Sequence, residues 1–360
     1  MKKNFLIIGV SLLFLFFANS AWGAKPKIAW FWSSPSSGFW PMVERFISAA
    51  SEDLGVDLDA YSYGENHTAI VPLVKQVLSN PSTKPDAVLI HNFKTRGKDV
   101  LELCEQYKVP ILVFNAGFSE AEGVGKPREK YKYWIGLMLP DDEYAGYILA
   151  KRLIEEAKKL NKRGNGGEIQ IVALEGNRAS EASNSRVRGL KKAMAHSEFK
   201  IQQFFHSKWK EHLAQEAFEL SSLRYLEVSL YWAASDSMAI GVVKAAEKRG
   251  LIPGKDFVVG GIDLLPENQE YLKSGKLAVS VGGHYAEGAW AIILLYDYLK
   301  GYDFAPFESS FFSTKMGDHQ SSTFAELGDL RQKLSAENIR KINFKQFSKA
   351  YNPDLKKYNF

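Results

Sequence analysis

Short apolar runs alternate with longer amphipathic segments through the first third of the chain. The runs of strand length occupy 27–32, 57–61, 87–91 and 111–115, and helical patterns lie between them at about 39–54, 69–78 and 95–107. Parallel strands that are buried on both faces are continuously apolar, and a helix usually connects each to the next. The pattern therefore predicts an α/β fold with a parallel sheet covered by helices.

A second series of the same kind begins after a long helix that ends near residue 160, for which Asp141 or Asp142 is a good N-cap. Its strands are predicted at 169–174, 199–204, 228–233, 257–262 and 277–281, and its helices at about 184–195, 212–223, 236–249, 266–273 and 285–300. Two such series predict two similar Rossmann-like lobes joined by a hinge near 138–140. Open parallel sheets bind ligands beyond the carboxyl ends of their strands, so we expect a ligand in the cleft between the lobes.

The pattern becomes less regular beyond about residue 307. A polar helix is predicted over 325–342, although Gly328 weakens its first turn, and Asn352 with Pro353 predicts a turn. We expect this C-terminal extension to pack on the lobes, where it either covers a sheet edge or contacts a partner.

The N-terminus has the pattern of a secretory signal peptide. Lys2 and Lys3 precede an apolar run over 5–17, and the small residues Ala21 and Gly23 follow a polar break. The alternative is an uncleaved membrane anchor, but the run is shorter than the roughly 20 residues that span a bilayer. We therefore predict cleavage after Gly23 and export to the periplasm.

Composition narrows the classes of function. The formal net charge is +5, and basic residues are interleaved with acidic ones, so no basic stripe indicates a nucleic-acid partner. Cys104 is the only cysteine, which excludes an intrachain disulfide. Its amphipathic surroundings favour a buried, inert thiol over a nucleophile.

Catalytic patterns are weak in this sequence. The seven histidines do not have metal-ligand spacing, no G-x-S-x-G elbow occurs, and the glycines at 123–126 lack a complete phosphate-binding loop. We therefore expect no cofactor, no metal and no enzymatic activity. A glycoside hydrolase, with Asp236 and Asp263 as its two carboxylates, is the enzyme alternative.

Polar and aromatic residues collect where the predicted strands end. The first strand runs into a Ser/Gly turn before Phe39 and Trp40, and later strand ends carry His91, Asn115, Ser235 with Asp236, Asp263 and His284. Because the carboxyl ends of parallel strands share one edge of a sheet, these residues should converge on the mouth of the cleft.

These segments resemble a type I periplasmic binding protein of the ribose/galactose-binding family over about 27–301. The specific part is Trp232-Ala-Ala-Ser-Asp-Ser-Met-Ala-Ile-Gly241 together with Val259-Gly-Gly-Ile-Asp263, which are similar to the family's Asn-Asp-x-Met-Ala-Leu-Gly and Val-Gly-Phe-Asp motifs. Ser183-Asn-Ser-Arg-Val-Arg-Gly189 resembles its Ala-Arg-Glu-Arg-Gly segment, and the turn before Trp40 is a looser match.

The resemblance implies roles for individual residues. Phe39 and Trp40 would stack on the faces of a sugar, with Trp209 as a further aromatic wall. Arg186 would donate to sugar oxygens, and Asp236 and Asp263 would accept from hydroxyls. The remaining expected ligand-binding residues are His91, Asn115, Ser235 and His284.

Several positions depart from the family's pattern. Asn115 stands where many relatives carry Asp, Ser235 where Asn is common, and His284 near a usual Gln or Asn. Asn115 with Trp40 and Arg186 is also similar to the autoinducer-2 receptor, a divergent member that signals through a membrane histidine kinase. That relative lacks the counterpart of Asp263.

Each residue also has an ordinary structural explanation. Trp40 could anchor the first helix in the core, Trp209 could be a surface ring between two lysines, and Asp236 could only cap its helix. His91 could simply end its strand, and His284 could simply begin the following helix. Arg186 and Arg188 could both be solvated charges on their helix, but the motif favours Arg186 as the ligand-binding residue, and Arg188 is assigned a structural role.

The sequence thus predicts a monomeric periplasmic protein that closes on a small sugar or sugar-like ligand. The expected N-terminal lobe comprises 24–139 and about 283–310, the C-terminal lobe 140–282, and the extension 311–360. Delivery to an inner-membrane ABC permease is the first hypothesis. The alternative is a sensor that signals to a membrane histidine kinase or cyclase.

Overall fold

A computed structural model describes residues 24–33, 38–160, 162–194, 198–319 and 329–358. The predicted signal peptide and its cleavage site after Gly23 lie outside these residues, as does the beginning of the helix predicted over 325–342. The described chain folds into two six-stranded sheets covered by helices.

The first sheet has the order β11-β5-β4-β3-β1-β2, and all of its strands are parallel. Its strands are β1 Lys27–Trp32, β2 Asp57–Ser62, β3 Ala87–Ile90, β4 Ile111–Phe114, β5 Trp134–Pro140 and β11 Phe311–Thr314. The helices between the first four are α1 Phe39–Leu54, α2 Ile70–Ser79 and α3 Gly97–Tyr107.

The second sheet has the order β12-β10-β9-β8-β6-β7, and only β12 runs antiparallel to its neighbour. Its strands are β6 Ile169–Glu175, β7 Phe199–His206, β8 Val228–Ala233, β9 Val258–Asp263, β10 Val279–Gly282 and β12 Gly317–Asp318. The helices that accompany it are α4 Asp142–Lys159, α5 Glu181–Ala193, α6 Glu211–Arg224, α7 Asp236–Lys248 and α8 Gln269–Lys273. This architecture confirms the predicted two-lobed α/β fold.

In the first sheet, the apolar residues of the central strands alternate between two helical layers. In β1, Ile28 and Trp30 belong to the core formed with α1 and with α9 Glu287–Leu299, whereas Ala29 and Phe31 belong to the core formed with α2 and α3. All four side chains are completely buried, which explains why the strands are uninterrupted apolar runs.

The C-terminal extension differs from the prediction. The single helix expected over 325–342 is wrong, because the described part of this range contains two short helices, α11 Leu330–Lys333 and α12 Ala336–Arg340. The Ser335 side chain accepts a hydrogen bond from the backbone N–H of Asn338, so a new helix begins there. The sequence analysis also missed β11 and β12, which add one strand to each sheet, and the short helix α10 Phe304–Phe307.

The chain passes between the two sheets at three neighbouring points. These are the β5–α4 connection, the β10–α9 connection and the β11–β12 connection. The backbone N–H of Asp141 donates to the carbonyl of Thr314 at 2.8 Å, and the Thr314 hydroxyl donates to Glu287. All three crossings are therefore linked through Thr314.

The close packing of α4 on α5 positions the side chain of Arg186. A Cβ on Gly146 would lie 2.0 Å from the carbonyl oxygen of Arg186, so only glycine permits this approach. The contact brings the Arg186 side chain to the start of α4, beside Asp142.

None of the helices in the described ranges is both long enough and apolar enough to cross a bilayer.

Candidate functional site

A cavity of about 540 Å³ lies between the carboxyl ends of the two sheets. Nine of the ten residues predicted from sequence line it, namely Phe39, Trp40, His91, Asn115, Arg186, Trp209, Ser235, Asp263 and His284. Residues that are up to 245 positions apart in sequence thus meet at one site because parallel strands bring their ends to the same edge.

Asp236 is the predicted residue that the structure places behind the cavity wall. Its carboxylate is completely buried and accepts hydrogen bonds from the Ser280 hydroxyl at 2.7 and 2.9 Å and from the backbone N–H of Leu265 at 3.0 Å. Burial raises its pKa to about 6, and these hydrogen bonds oppose the rise. In this structure the carboxylate braces the loop after Asp263, and Asp236 does not line the cavity.

Arg186 has most of its hydrogen bonds committed to the protein. Its Nε donates to Asp142 Oδ1 at 2.7 Å, and its Nη1 donates to the carbonyl of Ala234 at 2.7 Å and lies 3.6 Å from Asp263 Oδ1. Burial raises the pKa of Asp142 to about 6, although the nearby guanidinium opposes this. The arginine is therefore held rigidly at the floor of the cavity, between two carboxyl groups.

His284 completes this cluster in a defined tautomer. Its Nε2 lies 3.3 Å from Arg186 Nη2, and because arginine cannot accept, Nε2 must be the acceptor and the proton must be on Nδ1. Burial and the neighbouring guanidinium both lower the pKa of His284, which keeps the ring neutral. Its Nδ1 is buried and has no hydrogen-bond partner within the described structure.

The two aromatic rings at the start of α1 are each covered on one face by a histidine. Phe39 stacks on His284 with ring centroids 4.3 Å apart, and Trp40 lies against His91 with centroids 4.2 Å apart. The resemblance implies that both rings stack on the faces of a sugar. Packing on the histidines leaves each ring with one face for a ligand.

His91 is buried between Trp40 and Tyr63, whose hydroxyl lies 3.2 Å from His91 Nε2. Burial lowers the pKa of His91 to about 3, so the folded protein keeps it neutral while the unfolded chain protonates it near pH 6.5.

This difference predicts a pH dependence of stability. Between pH 6.5 and about 3 the unfolded chain binds the additional proton, so the free energy of unfolding falls as the pH falls. Between pH 7 and pH 5, the free energy of unfolding of the His91→Asn variant should therefore fall by about 2 kcal/mol less than that of the wild type. Urea unfolding at both pH values measures this difference, and equal losses in the two proteins would contradict it.

Asn115 connects the floor of the cavity to the crossings between the sheets. It follows β4 with a left-handed φ of 62°, and its side chain hydrogen-bonds the carboxyl of Glu287. Burial raises the pKa of Glu287, and its bonds to Thr314 and Asn115 oppose this. A ligand that contacts Asn115 would therefore act on the segment where the lobes are joined.

Trp209 forms part of the wall that belongs to the second sheet. Its φ is 66°, its ring lies 5.5 Å from the guanidinium carbon of Arg186, and a Cβ on Gly176 would lie 2.2 Å from the ring. The ring thus lies on the glycine that follows β6, which explains how it faces the cavity rather than the solvent. Ser235, the neighbouring predicted residue, also caps α7 by accepting from the Met238 N–H.

Sequence reasoning missed much of the cavity mouth. The additional lining residues include Ser33, Glu65, Asn92, Phe93, Lys94, Asn177, Ser180, Lys208, Lys210, Glu211, His212 and Ser237. Most of them follow the carboxyl end of a strand or begin a helix. The rule that the carboxyl ends of parallel strands meet at one edge of the sheet identified the floor, and it could also have found these residues.

An ion pair crosses the mouth of the cavity from one half of the protein to the other. Glu65 follows β2 of the first sheet, and Lys210 follows β7 of the second, yet the two side chains form an ion pair. In the described conformation this ion pair connects the two halves across the mouth of the cavity. No group of histidine, cysteine or acidic side chains within the described ranges is arranged to hold a metal ion.

Comparison with known proteins agrees with this architecture. The family model described as "Periplasmic binding protein domain" matches residues 28–303. The galactofuranose-binding protein YtfQ of Escherichia coli K12 is 24% identical over 269 residues, which are 72% of this chain and 77% of that protein.

Solved structures of periplasmic binding proteins are also similar to this chain. A periplasmic sugar-binding protein from Pseudomonas fluorescens is 26% identical, with a TM-score of 0.81 over 93% of this chain and 97% of its own. The binding-protein component of the arabinose ABC transporter from Shewanella sp. ANA-3, described with arabinofuranose, is 19% identical, with a TM-score of 0.73 over 86% of this chain and 98% of its own. At 19% identity, the similarity to the arabinose-binding component shows a shared fold.

Proposed function

This chain belongs to the periplasmic binding protein domain family, and we propose that it is a periplasmic solute-binding protein for a small sugar or sugar-like ligand. The observation that carries the proposal is the cavity between the lobes. Its floor combines the single free faces of Phe39 and Trp40 with donors and acceptors on Arg186, Asn115 and Asp263.

This arrangement matches the chemistry of a sugar. The C–H faces of a sugar ring bury well against an aromatic face, and its hydroxyls both donate and accept hydrogen bonds. Arg186 supplies donors, Asp263 supplies an acceptor, and Asn115 can supply either. Asp263 is buried, and burial raises its pKa, while the positive charge of Arg186 opposes the rise.

We propose that export precedes binding and that the loaded protein delivers its ligand to an inner-membrane ABC permease as a monomer. The pattern over residues 1–23 supports export. The similarity to solved structures supports transport, since one of these proteins is the periplasmic binding component of an arabinose ABC transporter. Signalling to a membrane histidine kinase or cyclase is the alternative, and no contact in the described structure favours it.

The site does not favour glycoside hydrolysis. Such enzymes place two carboxyl groups across the scissile bond. The Asp236 carboxylate lies behind the wall, and the two acidic side chains at the mouth, Glu65 and Glu211, are paired with Lys210 and Lys244. We therefore propose a protein that binds and releases its ligand unchanged.

The proposed function predicts thermal stabilisation by a neutral sugar. A ligand present at 100 times its Kd adds about 2.7 kcal/mol to the free energy of unfolding, which raises Tm by several degrees. Differential scanning fluorimetry of the purified mature protein with pentoses and hexoses, with glycerol as the control polyol, tests this. A Tm that no sugar changes, together with an absence of heat in calorimetric titrations, would contradict the proposal.

A further inference from the structure

We infer that the sugar bound by this cavity carries an anionic group, a carboxylate or a phosphate, which Lys94 and Lys208 bind at the mouth. The inference rests on the proposed sugar-binding function and specifies the class of ligand.

The floor and the mouth of the cavity differ in burial and in charge. At the floor, Arg186, Asp263 and His284 are each at most 5% exposed, and the guanidinium is balanced by the carboxyl groups beside it. At the mouth, Lys208 is exposed and Lys94 is partly buried. The floor therefore suits a polar but neutral group. The mouth carries two cationic side chains, of which Lys94 also lies over the Phe93 ring, with its Nζ 5.0 Å from the ring centroid.

The acidic residues at the mouth are already neutralised by other lysines. Glu65 pairs with Lys210, and Glu211 pairs with Lys244 at 2.8 Å. Across the described ranges, no carboxylate lies within ion-pair distance of the side chains of Lys94 or Lys208. The positive charge of Lys94 does reach Glu65, but that carboxylate is bonded to Lys210. Two positive charges at the mouth therefore lack a counter-ion.

These two lysines come from opposite lobes through loops of the same unusual shape. Lys94 and Thr95, shortly after β3, have φ of 50° and 64°, and Lys208 and Trp209, shortly after β7, have φ of 52° and 66°. Consecutive left-handed residues other than glycine are uncommon and occur mostly at functional sites. In both lobes the strained pair contributes its lysine to the wall of the cavity.

The volume of the cavity leaves room for a substituent. The cavity volume of about 540 Å³ lies within the roughly 300–1,000 Å³ of pockets that bury a drug-sized ligand, which is larger than a single sugar ring. A sugar ring on the floor leaves enough space towards the mouth for a carboxylate or a phosphate. An anion there would be bound from both lobes, so it would also favour the closed conformation.

The test compares matched pairs of ligands by calorimetric titration of the purified mature protein. The pairs are galactose with galacturonate, glucose with glucuronate, arabinose with arabinose 5-phosphate, and ribose with ribose 5-phosphate. The first two pairs test the carboxylate as the source of charge, and the last two test the phosphate. We expect an anionic member to bind at least about 30-fold more tightly than its neutral parent, by an excess that shrinks as salt is added.

The variants Lys94→Gln and Lys208→Gln test the two side chains. Each should weaken binding of the anionic ligand about tenfold and leave binding of its neutral parent within about twofold. Lys255→Gln, an exposed lysine outside the cavity, is the matched control and should change neither.

The titrations distinguish failure of the anionic-ligand inference from failure of the proposed sugar-binding function. If a neutral sugar binds as tightly as its anionic partner, or if both variants weaken the two ligands equally, the inference is overturned and the proposed function stands. If neither member of any pair binds, both the inference and the proposed sugar-binding function are wrong.

Discussion

Arg186→Lys is expected to weaken sugar binding at least about 30-fold while the protein remains folded. Arg186 reaches Asp142, the carbonyl of Ala234 and His284 at once because its guanidinium is a planar fork. A lysine keeps the positive charge between the buried carboxyl groups but cannot reproduce that geometry. Titration calorimetry with the sugar that stabilises the wild type measures the effect.

Arg188→Lys is the matched control, since Arg188 lies on the same helix and pairs with Glu143 and Glu181 at the surface. It should leave the affinity unchanged. Equal affinities for the wild type and Arg186→Lys would remove Arg186 from the binding site.

Complete truncation at this position affects the fold as well as the site. Arg186→Ala would leave Asp142 and Asp263 buried without their cation, which costs about 3–5 kcal/mol for a broken buried pair. Loss of binding by that variant alone would therefore not separate recognition from stability, whereas the lysine variant does.

Asp297→Ala is expected to lower the free energy of unfolding by about 3 kcal/mol or more and to release the end of the chain. Asp297 is completely buried in α9 and accepts hydrogen bonds from the Ser348 hydroxyl, from the backbone N–H groups of Lys349 and Ala350, and from the Tyr358 hydroxyl. Hydrogen bonds to a charged group are worth about 1.5–3 kcal/mol each and are not additive. One carboxylate therefore attaches the final segment to the core.

Urea unfolding and hydrogen exchange of residues 344–358 measure the two parts of this prediction. Asp354→Ala removes an exposed acid from the same segment and serves as the control, for which we expect no change in either measurement. An unchanged urea midpoint in Asp297→Ala, with the segment still protected from exchange, would show that the carboxylate does not anchor it.

The repeating part of the fold could be predicted from the sequence because its strands are buried on both faces. A strand such as Ile111–Phe114 has all four residues buried, and such runs are recognisable without knowledge of their neighbours. Strand β12 has only two residues. Strand β11 has four, of which only one is buried. Their pairing depends on sheet edges formed by distant parts of the chain, so no local pattern reveals them.

The site was predictable in its location and less so in its contacts. The strand-end rule found the floor, including Asn115 and Asp263, since strand polarity alone determines which loops meet. The role of Asp236 depends on Ser280, which is 44 residues away, and so could not be read locally. The same holds for the neutral state of His91, which results from burial under Trp40.

A crystal structure of the protein with its tightest-binding sugar tests most directly whether the ligand is held between the lobes. We expect the sugar on the cavity floor, against Trp40 and within hydrogen-bond distance of Arg186, Asn115 and Asp263. A sugar bound at another surface, with those side chains in contact only with solvent or with one another, would contradict it.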